Sequence, residues 1–382
     1  MKRVLKSIAE HFIRPSIVFE SVPPFADNTK PVYDEMVRRG YDRKYNLIWY
    51  ISEDECATIK NGNINYWNPR SRKTLKEKIR NYSYYMRTKC IICCNTYITS
   101  SGTHKITDGK GQISFYLTHG TPMKSVRAYY SAPEGTDYGL SPAPSMNHLM
   151  SYEFDIPLDH IFAAGFPRND VFAKNNPHLN QVFQWNYNKV IVWYPTYRQN
   201  KNRSVNLSGS SMPLIHDEKN AELLNETAQK NNVLIVIKPH FAQDVSLIRK
   251  MNYSNLMLIN DEFYKENNIT SYEFLAGTDA LITDYSSVYF DYTLADRPIA
   301  VIWEDIDEYR ENPGFALDLN HYLKGAEKIY QIEELCDFVT AVANGEDKLC
   351  EERRSIRDEV NYANDGLNAK RTADFIADLT KL

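Results

Sequence analysis

Short runs of consecutive apolar residues alternate along this chain with longer stretches in which apolar residues recur every three or four positions. The short runs predict strands buried on both faces, and the periodic stretches predict helices with one buried face. On this basis strands fall at 16–21, 46–51, 90–95 and 112–117, with a shorter one at 159–163. A helix over 28–40 has Pro31 near its start and Gly40 at its end, and a basic helix precedes the strand at 90–95. Segment 174–189 is polar and Asn-rich (Lys174-Asn175-Asn176-Pro177) and reads as a linker. A second series then begins, with strands at 190–194, 232–238, 255–259, 280–283 and 298–303. Helices near 217–231, 271–277 and 286–295 alternate with them, and the tail from 332 holds two or three amphipathic helices. Two βα series joined by one linker predict an α/β chain of two doubly wound domains, 1–182 and 183–382, facing each other across a cleft.

Composition narrows the class. At 382 residues the chain is long for one domain and suits two. A net charge of −4 carries no global signature of nucleic-acid binding. Of the six cysteines, Cys90, Cys93 and Cys94 sit in an apparent buried strand with no second Cys/His pair at zinc spacing, which favours reduced structural thiols over a metal site. No cofactor is implied. No apolar run approaches the roughly 18–20 residues that span a bilayer, and no signal-peptide core follows Met1, so a cytoplasmic protein is expected.

Local charge adds a qualification. Residues 1–14 space Val4, Leu5, Ile8 and Phe12 among bases. Arg70, Arg72, Lys73, Lys76, Lys78, Arg80, Arg87 and Lys89 stand against one acid, Glu77, with Tyr82, Tyr84, Tyr85 and Met86 interleaved. The block reads either as a solvated helix face or as a dock for anionic lipid or a polyanionic acceptor.

The densest chemistry lies in Leu281-Ile282-Thr283-Asp284-Tyr285-Ser286-Ser287, a strand running through a polar turn into a helix. Free backbone N–H groups, the helix dipole and two hydroxyls converge there on a place for phosphate, although Asp284 or Ser286 serving only as a helix cap is the plainer alternative. Two further strands end in Pro turns. Pro195-Thr196-Tyr197-Arg198 delivers Arg198, and Lys238-Pro239-His240 delivers Lys238 and His240. These cations suit a pyrophosphate and a departing phosphate without metal. In the first series, Tyr116-Leu117-Thr118-His119-Gly120-Thr121-Pro122-Met123-Lys124 leaves a strand straight into a turn. Gly120 permits positive φ, Pro122 stiffens the turn, and His119 is presented as a base for an alcohol, or else as a histidine bonding turn carbonyls.

These segments resemble the CDP-glycerol glycerophosphotransferase family, the teichoic-acid and related capsule primases and polymerases. The matching pieces are Phe19-Glu20-Ser21 with Phe25-Ala26-Asp27-Asn28, His119-Gly120-Thr121-Pro122 with Lys124, and Gly165-Phe166-Pro167-Arg168-Asn169-Asp170. In the second series they are Pro195-Thr196-Tyr197-Arg198, Lys238-Pro239-His240 and Thr283-Asp284-Tyr285-Ser286-Ser287 with Phe290-Asp291-Tyr292. Weaker echoes are Glu308-Tyr309 with Gly314-Phe315, and Asp365-Gly366 with Asn368-Ala369 and Arg371. The resemblance implies two Rossmann-like domains of the GT-B type, peripheral on the inner face of the cell membrane.

It further implies transfer of a polyol phosphate, glycerol phosphate first, from a CDP-polyol to a hydroxyl of an envelope polymer or lipid-linked acceptor, with release of CMP. His119 and His240 would be the catalytic residues. Arg198, Lys238, His240, Thr283, Asp284, Ser286 and Ser287 would bind the donor, and Gly120, Thr121, Lys124 and Arg168 would lie on the acceptor side. Thr118 stands where many members have Trp, and Lys238-Pro239 where several polymerases have Arg-Met. A glycosyltransferase using a nucleotide sugar is the alternative for the same fold, and a non-catalytic envelope scaffold a third reading.

Overall fold

The computed structural model describes residues 14–51, 65–67, 74–76, 78–79, 87–93, 112–127, 132, 136–174, 176–196, 212–239, 245–311 and 314–380. They form two compact units, each drawing on separate stretches of chain. The first takes Met1–Thr121, Val126–Asp170 and Asp365–Leu382; the second takes Pro122–Ser125 and Val171–Asn364.

The first unit is built on β1 (Ser16–Glu20), β2 (Asn46–Tyr50), β3 (Asn65–Trp67), β4 (Thr88–Cys93), β5 (Ile113–Tyr116), β6 (Tyr138–Ser141) and β7 (Ile161–Ala163). All pairs are parallel, in the order β3-β2-β1-β4-β5-β6-β7. The chain starts mid-sheet, winds to one edge, returns and winds to the other, so its topological switch lies between β1 and β4. A parallel sheet needs both faces covered, which is why Ile17, Val18 and Phe19 are all buried irrespective of alternation. Helix α1 (Thr29–Arg38) follows β1 and buries Val32 and Met36. Phe19, Phe25 and Tyr33 pack around Trp49 at ring separations of 5.8, 4.7 and 5.4 Å. Helix α2 (Asn147–Phe154) covers β6 and β7, and the C-terminal helix Asn368–Thr380 also returns here, its Phe375 stacked on Phe162 at 3.9 Å.

The second unit repeats the winding. Its strands are β8 (Lys189–Trp193), β9 (Val233–Ile237), β10 (Leu256–Leu258), β11 (Ala280–Thr283), β12 (Ile299–Ile302) and β13 (Glu327–Ile329). Their order is β10-β9-β8-β11-β12-β13, parallel throughout, with the switch between β8 and β11. Helices α3 (Glu218–Lys230), α4 (Ser271–Ala276), α5 (Val288–Tyr292), α6 (Ile332–Ala343) and α7 (Cys350–Val360) belong to this unit. Helix α3 is capped by Asp217, whose side chain accepts from the Asn220 N–H (2.8 Å), and it buries Ala221, Leu224 and Ala228 over the sheet.

Several expectations shift. Strands β3, β6 and β13 lack a long branched apolar run; at Gly139 in β6 an added Cβ would lie 2.7 Å from Ile156 Cδ1, so packing selects the smallest residue there. The segment expected as a linker starts the second unit instead, since Phe172 packs on Tyr272 and Tyr292 and the Leu179 N–H donates to the Gly277 carbonyl. The units therefore divide near 170 rather than at 182, and the last helix rejoins the first unit. The helix expected over 286–295 is a five-residue α5 followed by a 3-10 turn, Thr293–Ala295. Cys90 and Cys93 are buried in β4 and share no disulfide, and burial pushes the Cys90 thiol up to about 12. Among the described residues no helix is long and apolar enough to cross a membrane.

Candidate functional site

In the first unit the site is assembled by Asn28. Its side-chain amide donates to the carbonyls of Leu117 (3.3 Å) and Thr118 (3.0 Å), and its side-chain oxygen accepts the Arg168 N–H (3.2 Å). Three loops that are far apart in sequence thus meet on one asparagine. The exit from β5 is backbone-strained. Thr118, a β-branched residue, holds φ at +56°, and Gly120 follows at +133°. His119 between them is exposed while Thr118, Gly120 and Thr121 are buried, so the turn projects the imidazole outward.

Arg168, expected on the acceptor side, is tied to its own unit by its side chain. Its guanidinium is buried against Asp27 Oδ1 at 2.7 Å, so it clamps the loop that carries Asn28. The rest of its motif docks the C-terminal helix. Asp170 accepts the N–H groups of Asn368 (2.8 Å) and Ala369 (2.9 Å), at the first turn of that helix. Asn368 donates to the Phe166 carbonyl and Arg371 to that of Ala164. Gly165 has φ +79°, and a Cβ there would fall 2.3 Å from Asn368 Oδ1. Burial raises the Asp170 carboxyl to about 6, outweighing the two amide bonds that favour its anion.

In the second unit the strand ends at the switch point are tied together. The Thr283 hydroxyl donates to the Tyr194 carbonyl (2.9 Å), and the fully buried Asp284 accepts both the N–H (2.8 Å) and the hydroxyl of Thr196. Both were expected to touch the donor. Both are buried and hold the turn after β8 against the turn after β11. Ser286 and Ser287 stay partly exposed at the tip of that turn. The Val288 N–H lies 3.5 Å from Ser286 Oγ, a contact too long to commit that hydroxyl. With only five α-helical residues behind them, the dipole adds less than the sequence suggested.

Lys238 leaves β9 with its ammonium 3.0 Å from Asp261 Oδ1. Arg198 and His240 lie outside the described residues. So do four of the eight bases of the basic block, Arg70, Arg72, Lys73 and Arg80. Lys124, expected on the acceptor side, falls with the second unit, where it pairs with Phe315 in an antiparallel bridge. Sequence reasoning passed over the Tyr194–Tyr264 pair, whose hydroxyls meet at 2.6 Å and whose burial raises both phenols. A Tyr directly before the Pro turn was the only signal. It also passed over Tyr285, whose buried ring lies under Tyr309 at 4.4 Å and whose hydroxyl donates to Asp305.

A family profile described as CDP-glycerol:poly(glycerophosphate) glycerophosphotransferase matches residues 5–378. The chain belongs to this family. Among its relatives in the family, a teichoic acid poly(glycerol phosphate) polymerase of Bacillus spizizenii is 25% identical over 350 residues, covering 82% of each chain. A teichoic acid glycerol-phosphate primase of Bacillus subtilis is 20% identical over 385 residues, covering 96% of this chain and 93% of the relative. The solved wall teichoic acid polymerase TagF superposes with a TM-score of 0.74 at 21% identity, over 100% of this chain and 93% of that one. The glycerophosphotransferase therefore has the GT-B type of fold, two doubly wound units in one chain.

Proposed function

We propose that this glycerophosphotransferase moves glycerol phosphate from CDP-glycerol to a hydroxyl of a teichoic-acid-type acceptor and releases CMP. The observation that carries the reading is the family match along nearly the whole chain, residues 5–378. The geometry of each unit supports it. The second unit would bind the donor, since Ser286 and Ser287 stand at the carboxyl end of β11, beside its switch point, where doubly wound sheets take their ligands. Lys238, and with it Arg198 and His240, would supply the charge that a pyrophosphate needs.

The first unit would serve the acceptor. The acceptor oxygen attacks the distal phosphorus and the bond from that phosphorus to the CMP oxygen breaks. His119 takes the proton from the hydroxyl, and CMP departs with the bonding electrons. Little covalent work falls to the protein, because positioning and charge neutralisation carry phosphoryl transfer.

Association with the inner membrane face and a lipid-linked acceptor belong to the same reading. Leu75 and Ile79 are 74% and 62% exposed, one helical turn apart, beside exposed Lys76 and Lys78. Apolar anchors among bases suit an anionic lipid surface. The test is incubation with CDP-glycerol and CDP-ribitol separately, with and without an envelope acceptor, following CMP. Acceptor-dependent CMP from CDP-glycerol is expected. Absence of CMP from both donors, with turnover of a nucleotide sugar instead, would overturn it.

A further inference from the structure

The strip Pro122–Ser125 directly follows the turn that carries His119, yet it is grouped with the second unit. It is stitched there by main chain. The Ala316 N–H donates to the Met123 carbonyl (3.0 Å) and the Ser125 N–H to the Gly314 carbonyl (3.1 Å), closing the bridge of Lys124 with Phe315. The half-buried Lys124 side chain then lies over Tyr309, its Nζ 5.6 Å from the ring centroid. Tyr309 and Phe315 both pack on Tyr285, at 4.4 and 5.3 Å. Tyr285 is the buried residue between Asp284 and Ser286. Main chain and ammonium of Lys124 are thus each one ring removed from the side chain of Tyr285, whose main chain runs into the serine turn.

Sheet order makes the placement pointed. Lys238 leaves β9, on one side of the β8–β11 switch, while Tyr309 and Phe315 follow β12 on the other. A dianionic pyrophosphate held at the serine turn would need positive charge from both sides as CMP leaves. Lys238 supplies one side. An ammonium seated on an aromatic face is a charge held in one place, with less rotamer freedom left to lose when the phosphate arrives.

We infer that Lys124 is a donor-phosphate cation of the second unit rather than an acceptor-side residue, and that Tyr309 is the positioning residue that holds it. The inference rests on the second unit binding CDP-glycerol. It is tested by titrating CMP, cytidine and CDP-glycerol into the full chain and into Lys124→Met, Lys124→Arg, Tyr309→Leu and Tyr309→Phe. Lys124→Met should weaken CMP and CDP-glycerol about ten- to hundredfold, the size of one charged phosphate contact, and leave cytidine unchanged. Tyr309→Leu should share part of that phosphate-specific loss, and Tyr309→Phe, which keeps the ring, should restore it. A purely structural role would weaken cytidine and CMP together. Should Lys124→Met fold poorly, Lys124→Arg must keep CMP affinity; its loss there overturns the inference. An unchanged CMP affinity in Lys124→Met with a raised KM for acceptor also overturns it and returns Lys124 to the acceptor. Failure of the unaltered protein to bind CMP or CDP-glycerol refutes the donor reading itself, and the inference falls with it.

Discussion

Removal of the Asp284 carboxylate is the sharpest test of how the donor-side turn is built. The side chain is fully buried and accepts two hydrogen bonds from one residue, the N–H and the hydroxyl of Thr196. A hydrogen bond to a charged acceptor contributes about 1.5–3 kcal/mol, and a buried donor left unsatisfied costs ~1–3 kcal/mol. Thr196 is half-buried, so water recovers part of the loss, and Asp284→Ala should cost about 2–4 kcal/mol. Thr196→Val keeps the N–H bond and should cost less, about 1–1.5 kcal/mol. Because the two act through one contact, the double variant should be hardly worse than Asp284→Ala alone. Denaturant midpoints measure the stabilities, and calorimetric titration with CDP-glycerol measures the site. Donor affinity should fall alongside stability, since Ser286 and Ser287 are carried by the same turn. Additive costs in the double variant, or an Asp284→Ala protein with unaltered midpoint and affinity, would refute the claim that this carboxylate joins the two strand ends.

His119→Ala should abolish CMP release while leaving CDP-glycerol affinity nearly unchanged, as expected of an acceptor-side base; a matching loss of affinity in the titration would move it to the donor. The Asp170 carboxyl sits near 6 in the folded chain, against about 3.9 unfolded. The folded state therefore binds its proton more readily, and this group's contribution declines as pH rises from about 4 to about 6, by ~3 kcal/mol over the window. Melting curves across that range should show a flatter pH slope for Asp170→Asn, and an identical slope would contradict the assignment. Gly165→Ala should loosen the C-terminal helix, because its Cβ would collide with Asn368 at 2.3 Å and φ is +79°. Faster amide exchange over Asn368–Thr380 is the expected readout.

Much of the fold was legible in the order of residues. Apolar runs such as Val190–Trp193 and Leu281–Thr283 marked doubly buried strands, because a parallel sheet covered on both faces needs no alternation. Strands such as Tyr138–Ser141 were not legible, since their residues are chosen by a neighbour, here Ile156, and not by a pattern of their own. The candidate site divides the same way. Ser286, Ser287, Lys238 and His119 were visible as polar residues delivered at strand ends, and they stand at strand ends in the structure.

What the sequence by itself determined was the number and order of βα repeats, the turns at which each carries its polar residues, and through those motifs the family. These are local properties, set by periodicity and by which side chains follow each strand. Only the tertiary structure decided which partners several of the motif residues take. Arg168 and Asp27 form a buried pair across 141 positions, and Asp170 caps a helix 198 positions away. Asp284 and Thr283 serve the neighbouring strand end, and Lys124 joins the unit opposite to the one its sequence position suggested. Hydrogen bonding and burial depend on which groups come within about 3 Å of one another, and chain distance carries no record of that.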